Sequence, residues 1–74
     1  MKYRVYGINR GNETISMIHL LKDEGSMSLS DAKRCVDQMM LGEIDHFDFE
    51  NNTLPPETLV SRISNLGFSS RQMP

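Results

Sequence analysis

The chain has 74 residues, 38% of them hydrophobic and 24% charged, with a formal net charge of −2. That length makes one domain, residues 1–74, with a single thin core, so a deep enclosed cleft is not expected and function should sit on an open surface. The composition is too apolar for a disordered chain, and the charge offers no basic excess for nucleic acid or an anionic membrane.

The one cysteine, Cys35, excludes a disulfide or a cysteine-based zinc site within the chain. A secreted domain this small usually carries bridges, so the expectation is cytoplasmic. MKYRVYGINR has too short an apolar run for a signal peptide, and no segment approaches the ~18 apolar residues of a membrane span.

Residues 2–8, KYRVYGI, read as a strand. Tyr3 and Val5 share one face and Tyr6 and Ile8 the other, which suits a central strand. NRGN breaks the run, and Asn12 stands where an N-cap would start a first helix over 13–24. Ile15, Ile18 and Leu21 recur at helical steps, Met17 and Leu20 widen the stripe, and Gly25 is placed to end it in the left-handed conformation. A second helix follows over 29–41. Ser28 and Asp31 have capping-box spacing, Leu29, Ala32, Val36 and Met39 form the buried stripe, and Gly42 closes it.

Residues 44–50, IDHFDFE, alternate, with Phe47 and Phe49 on one face and His46, Asp48 and Glu50 on the other. NNTLPP is a turn. Pro56 opens a third helix carrying Leu59, Val60, Ile63 and Leu66, Gly67 stops it, and FSSRQMP leaves room for a last strand. The implied fold is α+β in the order β-α-α-β-α-β: a three-stranded, mainly antiparallel sheet with three helices packed on one face. A ferredoxin-like fold would need another strand between the first two helices, and residues 25–28 are too few for it.

Few residues suggest chemistry. His46, Asp48 and Glu50 would stand roughly 6–7 Å apart along one strand face, wide for a single ion; a solvated strand face whose charges blunt edge pairing explains them as well. No serine or cysteine is forced near His19, and Cys35 suits packing as a small hydrophobe. GINRG lacks the spacing of a phosphate loop. No catalytic constellation emerges, so a non-enzymatic role without a cofactor is expected. Lys22 and Lys33 would flank the corner of a helix hairpin, with Met27 and Leu29 between them, a small apolar spot of the kind that docks proteins.

The stretch ISMIHLLKDEGSMSLSDAKRCVD, above all LSDAKRCVD, together with IHLLK and LVSRISNLGFS, resembles the C-terminal domain of the bacterial ribosomal stalk protein. That family docks translation factors on its helix hairpin. Carried over position by position, the resemblance implies Ile15, Ile18, Lys22, Leu29, Lys33 and Asp37 as contacts with a protein partner. The family's glycine before the leucine is Ser28 here, its basic residue in the first helix is His19, and its N-terminal dimerisation region is not in the sequence. The superfamily also includes the ClpS-type adaptor, whose first strand ends, like YRVYGIN, in an asparagine, here Asn9. The adaptor's following acidic pair is replaced by Arg10 and Gly11, and Met39 stands where it has a histidine. A second expectation is an inhibitor or immunity-type protein acting through the acidic strand 43–50. A homo-oligomer using Met39, Met40 and Leu41 is also compatible with the sequence.

Overall fold

The computed structural model describes residues 1–74. The elements run β1 (Lys2–Ile8), α1 (Thr14–Glu24), α2 (Leu29–Met40), β2 (Phe47–Glu50), α3 (Pro56–Asn65) and β3 (Phe68–Gln72). β1 lies between β2 and β3 and is antiparallel to both, so the α+β order and the central first strand are as the sequence implies.

Alternation builds the core. Tyr3 and Val5 of β1, Phe47 and Phe49 of β2 and Phe68 of β3 point inward, where they meet Met17, Leu20 and Leu21 of α1, Ala32, Val36 and Met39 of α2, and Leu59 and Ile63 of α3. Tyr3 and Phe49 are cross-strand partners and stack with ring centroids 5.6 Å apart. The other sheet face carries Lys2, Arg4, Tyr6, Asp48, Glu50 and Arg71 and is open.

The strand reading fails at one point. Between Val5 and Gly7 the register of β1 against β3 slips, leaving Tyr6 as an extra residue. This bulge puts Tyr6 and Gly7 both outward and returns Ile8 to the core side, where it pairs with Phe68 and packs against the cluster. Ile8 and Tyr6 therefore do not share a face.

Helix ends follow local chemistry in part. The Ser28 hydroxyl accepts the Asp31 N–H at 3.1 Å. Asp31 does not return the bond; its carboxylate meets Arg34 at 2.9 Å. Beyond α2, Gly42 takes φ +75° and donates to the Met39 carbonyl while Glu43 donates to that of Gln38, the two bonds of a Schellman motif. Asn12 does not cap α1: Glu13 is the N-cap residue, and the Asn12 amide donates back to the Asn9 carbonyl. Gly25 is not left-handed either. It has φ −98°, and Ser26 takes the positive φ of 54°. Glycine is needed at 25 for space, because a Cβ there would stand 2.7 Å from the Leu21 carbonyl oxygen and 3.0 Å from the Phe49 ring.

Candidate functional site

α1 and α2 pack as a hairpin around the corner 25–28. Because the corner is short, the helices run antiparallel. Lys22 and Leu29 therefore lie at the corner, and Ile15 lies with Met40 and Leu41 at the opposite end. Seven residues separate Ile15 from Lys22, about 10 Å along a helix. The six expected contacts are thus spread along the hairpin and do not converge on one spot.

Their environments differ. Ile15 is 72% exposed and Leu29 49%, while Ile18 is half-buried against the core. Lys22 has only the Asp23 carboxylate at 3.9 Å, so its charge is largely free for a partner. Lys33 and Asp37, both expected to meet a partner, meet each other, with Nζ to Oδ2 at 2.6 Å one helical turn apart. Met27 turns inward and packs on the core, so it leaves the spot between the lysines to Leu29. Met40 and Leu41 are exposed, 43% and 73%, whereas Met39 is buried. Four of the six exposed large hydrophobics, Ile15, Leu29, Met40 and Leu41, thus belong to α1, α2 and the residue that ends α2.

The acidic segment is largely neutralised from within. β2 begins at Phe47, so His46 is not on the strand and does not line up with Asp48 and Glu50. Its Nδ1 lies 2.6 Å from the carboxylate of the adjacent Asp45, and no three His, Cys, Asp or Glu side chains stand close enough to hold a metal ion. Arg4, directly across the ladder from Asp48, donates to it from Nε at 2.8 Å and from Nη2 at 3.2 Å, and Lys2 approaches at 3.8 Å. Glu50 lies 3.3 Å from the α-amino group of Met1. Of the carboxylates in 43–50, Glu43 has no ion pair, and Asp45, 94% exposed, has only the neighbouring imidazole.

The hydrogen bond from Arg4, helped by the nearby positive charges, holds the Asp48 carboxyl below its usual range against a smaller opposing effect of desolvation. A carboxyl whose folded-state pKa is depressed stabilises the fold fully above its unfolded value, about 3.9, and loses that contribution as pH falls through the folded value. Urea unfolding of wild type and Asp48→Asn should therefore differ most near neutrality, with wild type the more stable. The two midpoints should converge in acid; a gap that stayed constant below about pH 3 would remove this pair from the acid response.

His19 and Cys35 are not a pair. His19 lines the groove between α1 and α3 with Ser16, Asp23 and Arg62, whereas Cys35 is partly buried on α2 and packs on the core. Burial pushes the Cys35 thiol up, against a smaller pull from Arg34, which disfavours the reactive thiolate. Asn9, the residue shared with the adaptor strand, is engaged by its amide with the Ser69 hydroxyl at 3.3 Å.

One surface went unread in the sequence. On the open sheet face, Arg4, Tyr6, Asp45, His46 and Arg71 line a shallow cleft, with the Arg71 guanidinium 5.9 Å from the Tyr6 ring centroid. The outward alternation of Arg4 and Tyr6 was visible, but Arg71 comes beside them only through the pairing of β3 with β1. The chain matches no known protein family, no curated protein and no solved structure.

Proposed function

We propose that this chain is a non-catalytic protein-binding module that docks a protein partner along its helix hairpin. The observation that carries the reading is the concentration of exposed apolar side chains, Ile15, Leu29, Met40 and Leu41, on that hairpin. Apolar anchors within a polar rim are the usual make-up of a docking surface. Lys22 supplies a largely free positive charge beside Leu29, which favours a partner acidic at that end. The resemblance to the ribosomal stalk domain adds a precedent for this use of a hairpin. Asp48 and Glu50 are already engaged by cations of the same chain, so an inhibitor acting through the acidic segment would have mainly Glu43 and Asp45 to offer. No helix is long and apolar enough to cross a membrane.

Photo-crosslinking tests the reading. A benzophenone side chain placed at Ile15 or Leu29 should trap one and the same protein in cells, and the same group at exposed Thr58 on α3 should not. The double charge reversal Lys22→Glu/Lys33→Glu should abolish the adduct while circular dichroism stays unchanged. Equal trapping from all three positions, or an adduct indifferent to the reversal, would take the hairpin out of consideration.

A further inference from the structure

On the open face of the sheet, three cross-strand pairs join two charged residues. Lys2 stands opposite Glu50 and Arg4 opposite Asp48, both pairs of opposite sign. On the other flank of β1, Arg4 stands opposite Arg71. Directly opposed residues have Cβ atoms about 5 Å apart, and like charges in that position repel. One row across the three strands thus reads Asp48, Arg4, Arg71: one carboxylate beside two guanidiniums.

The carboxylate of that row is committed. Asp48 accepts from Arg4 Nε at 2.8 Å and from Nη2 at 3.2 Å, which leaves the Nη1 hydrogens of Arg4 for another acceptor. Arg71 forms no ion pair. Its guanidinium rests over the Tyr6 ring instead, 5.9 Å from the centroid, and this holds its charge over the sheet beside Arg4.

Arg4, Tyr6 and Arg71 line the shallow cleft together with Asp45 and His46, and the cleft offers about 500 Å³, the size of a small-molecule site. Asp45 takes the Nδ1 side of His46 at 2.6 Å, so Nε2 is the free ring nitrogen. Asp45 is the one carboxylate in the lining, and it has this imidazole as its partner. The groups left without partners in the cleft are therefore mainly donors: Arg71, the Nη1 end of Arg4 and the His46 ring.

We propose that this cleft binds a phosphate monoester of a small molecule, its phosphoryl group seated between the guanidiniums of Arg4 and Arg71 and bonded to Nε2 of His46. Near neutrality a phosphoryl group brings close to two negative charges and three acceptor oxygens. That suits one guanidinium without a counter-charge, a second with spare donors and an imidazole; a carboxylate has one charge and two oxygens. The bound anion also relieves the repulsion between the opposed arginines. Space remains in the cleft beside the Tyr6 ring, 51% exposed, for the organic part of the ester. The three helices pack on the other face of the sheet, so this site is separate from the hairpin surface.

Nuclear magnetic resonance titration of the intact chain tests this, with phenyl phosphate as the probe at constant ionic strength. Saturable shifts are expected at the Nε–H signals of Arg4 and Arg71 and at the amides of Tyr6 and His46. Benzoate keeps the ring but carries a carboxylate, inorganic phosphate lacks the ring, and each should bind at least tenfold more weakly. Arg71→Gln should weaken phenyl phosphate at least tenfold. Arg10→Gln, which removes an exposed arginine outside the cleft, should leave it unchanged. If Arg71→Gln does not fold, Arg71→Lys takes its place, since lysine keeps the charge but not the planar fork, and weaker binding is again expected. Phenyl phosphate should also raise the melting temperature of wild type and not that of the Arg71 variant. Shifts that never saturate, or equal binding by wild type and the Arg71 variant, overturn the proposal. So does benzoate or inorganic phosphate binding as tightly as phenyl phosphate.

Discussion

Replacing Gly67 by alanine is expected to leave the chain largely unfolded at room temperature. Gly67 follows the last turn of α3 with φ +87°, and its N–H closes that turn on the Ser64 carbonyl. A side chain in this region costs roughly 1–2 kcal/mol from torsion alone. The larger effect is contact. A Cβ at 67 would stand 2.5 Å from the Cα of Asn12 and 2.9 Å from its backbone nitrogen. These are main-chain atoms, and they are held there from both sides: the Asn9 N–H donates to the Gly67 carbonyl at 2.7 Å and the Glu13 N–H to the Leu66 carbonyl at 2.8 Å. Relieving the collision means separating the β1–α1 connection from the α3–β3 corner, which breaks both bonds. The sum should reach about 3–5 kcal/mol, comparable with the whole stability of so small a core.

Gly42 supplies the control. It has nearly the same torsion, φ +75°, but no atom lies within 4 Å of the place a Cβ would take. Gly42→Ala should therefore cost only about 1 kcal/mol, the torsional part. Gly67→Asn adds a second comparison, because asparagine tolerates positive φ yet carries the same Cβ. Urea titrations followed by circular dichroism should rank Gly67→Asn close to Gly67→Ala and both far below Gly42→Ala. A Gly67→Asn variant as stable as Gly42→Ala would mean that torsion, and not the approach of Asn12, makes this glycine necessary.

Gly67 illustrates what a single sequence can convey. Its place after the stripe of Leu59, Ile63 and Leu66 marks a helix end, since that follows from local periodicity. Its collision with Asn12 involves a residue remote in sequence and cannot be read locally. Gly25 shows the same division: the residue that ends α1 is legible, but its reason is the ring of Phe49 on β2, and the left-handed torsion expected there falls on Ser26. The helices were legible because each buries one stripe. β2 was legible from Phe47 and Phe49, but its start was not, since alternation runs back through His46 into residues that never pair. The bulge at Tyr6 was marked in the sequence only by Gly7, since a glycine inside a strand often signals one, and it moved Ile8 to the other face.

The candidate surface divides in the same way. Helical spacing puts Leu29 in one buried stripe with Ala32, Val36 and Met39, yet only those three are buried; Leu29, in the first turn at the corner, stays half exposed. The mutual pairing of Lys33 and Asp37 was implicit in their four-residue spacing, though the resemblance presented both as contacts for a partner. The cleft on the open face required the strand order, which no local pattern in FSSRQ encodes.

Loss of the Asn51 side chain should be the most damaging polar deletion in the molecule. The sequence presents Asn51 as one residue of a polar turn, yet it is 1% exposed. Its amide nitrogen donates to the Glu24 carbonyl at the end of α1 and to the Thr53 hydroxyl at 3.1 Å, and its Oδ1 accepts the Leu54 N–H at 3.0 Å. The Thr53 hydroxyl in turn donates to the Glu24 carboxylate, while the backbone N–H of Asn51 donates to the Met1 carbonyl at 2.9 Å. One side chain thus joins the end of α1 to the turn between β2 and α3. Asn51→Leu keeps the size but orphans a buried donor and a buried acceptor, each worth about 1–3 kcal/mol, so a loss of roughly 2–4 kcal/mol is expected in urea unfolding. Asn51→Asp separates the two roles. The introduced carboxylate can still accept from Leu54, but it faces the Glu24 carbonyl without a proton to give. Burial and the nearby Glu24 carboxylate must raise its pKa in the folded state, so the variant is weak near neutrality and recovers as pH falls and the carboxyl gains a proton. Wild type weakens over the same acid range as carboxyls such as Asp48 protonate, so the two curves should approach one another. Parallel curves would show that the donor bonds of Asn51 contribute nothing, and that the turn is held by its backbone alone.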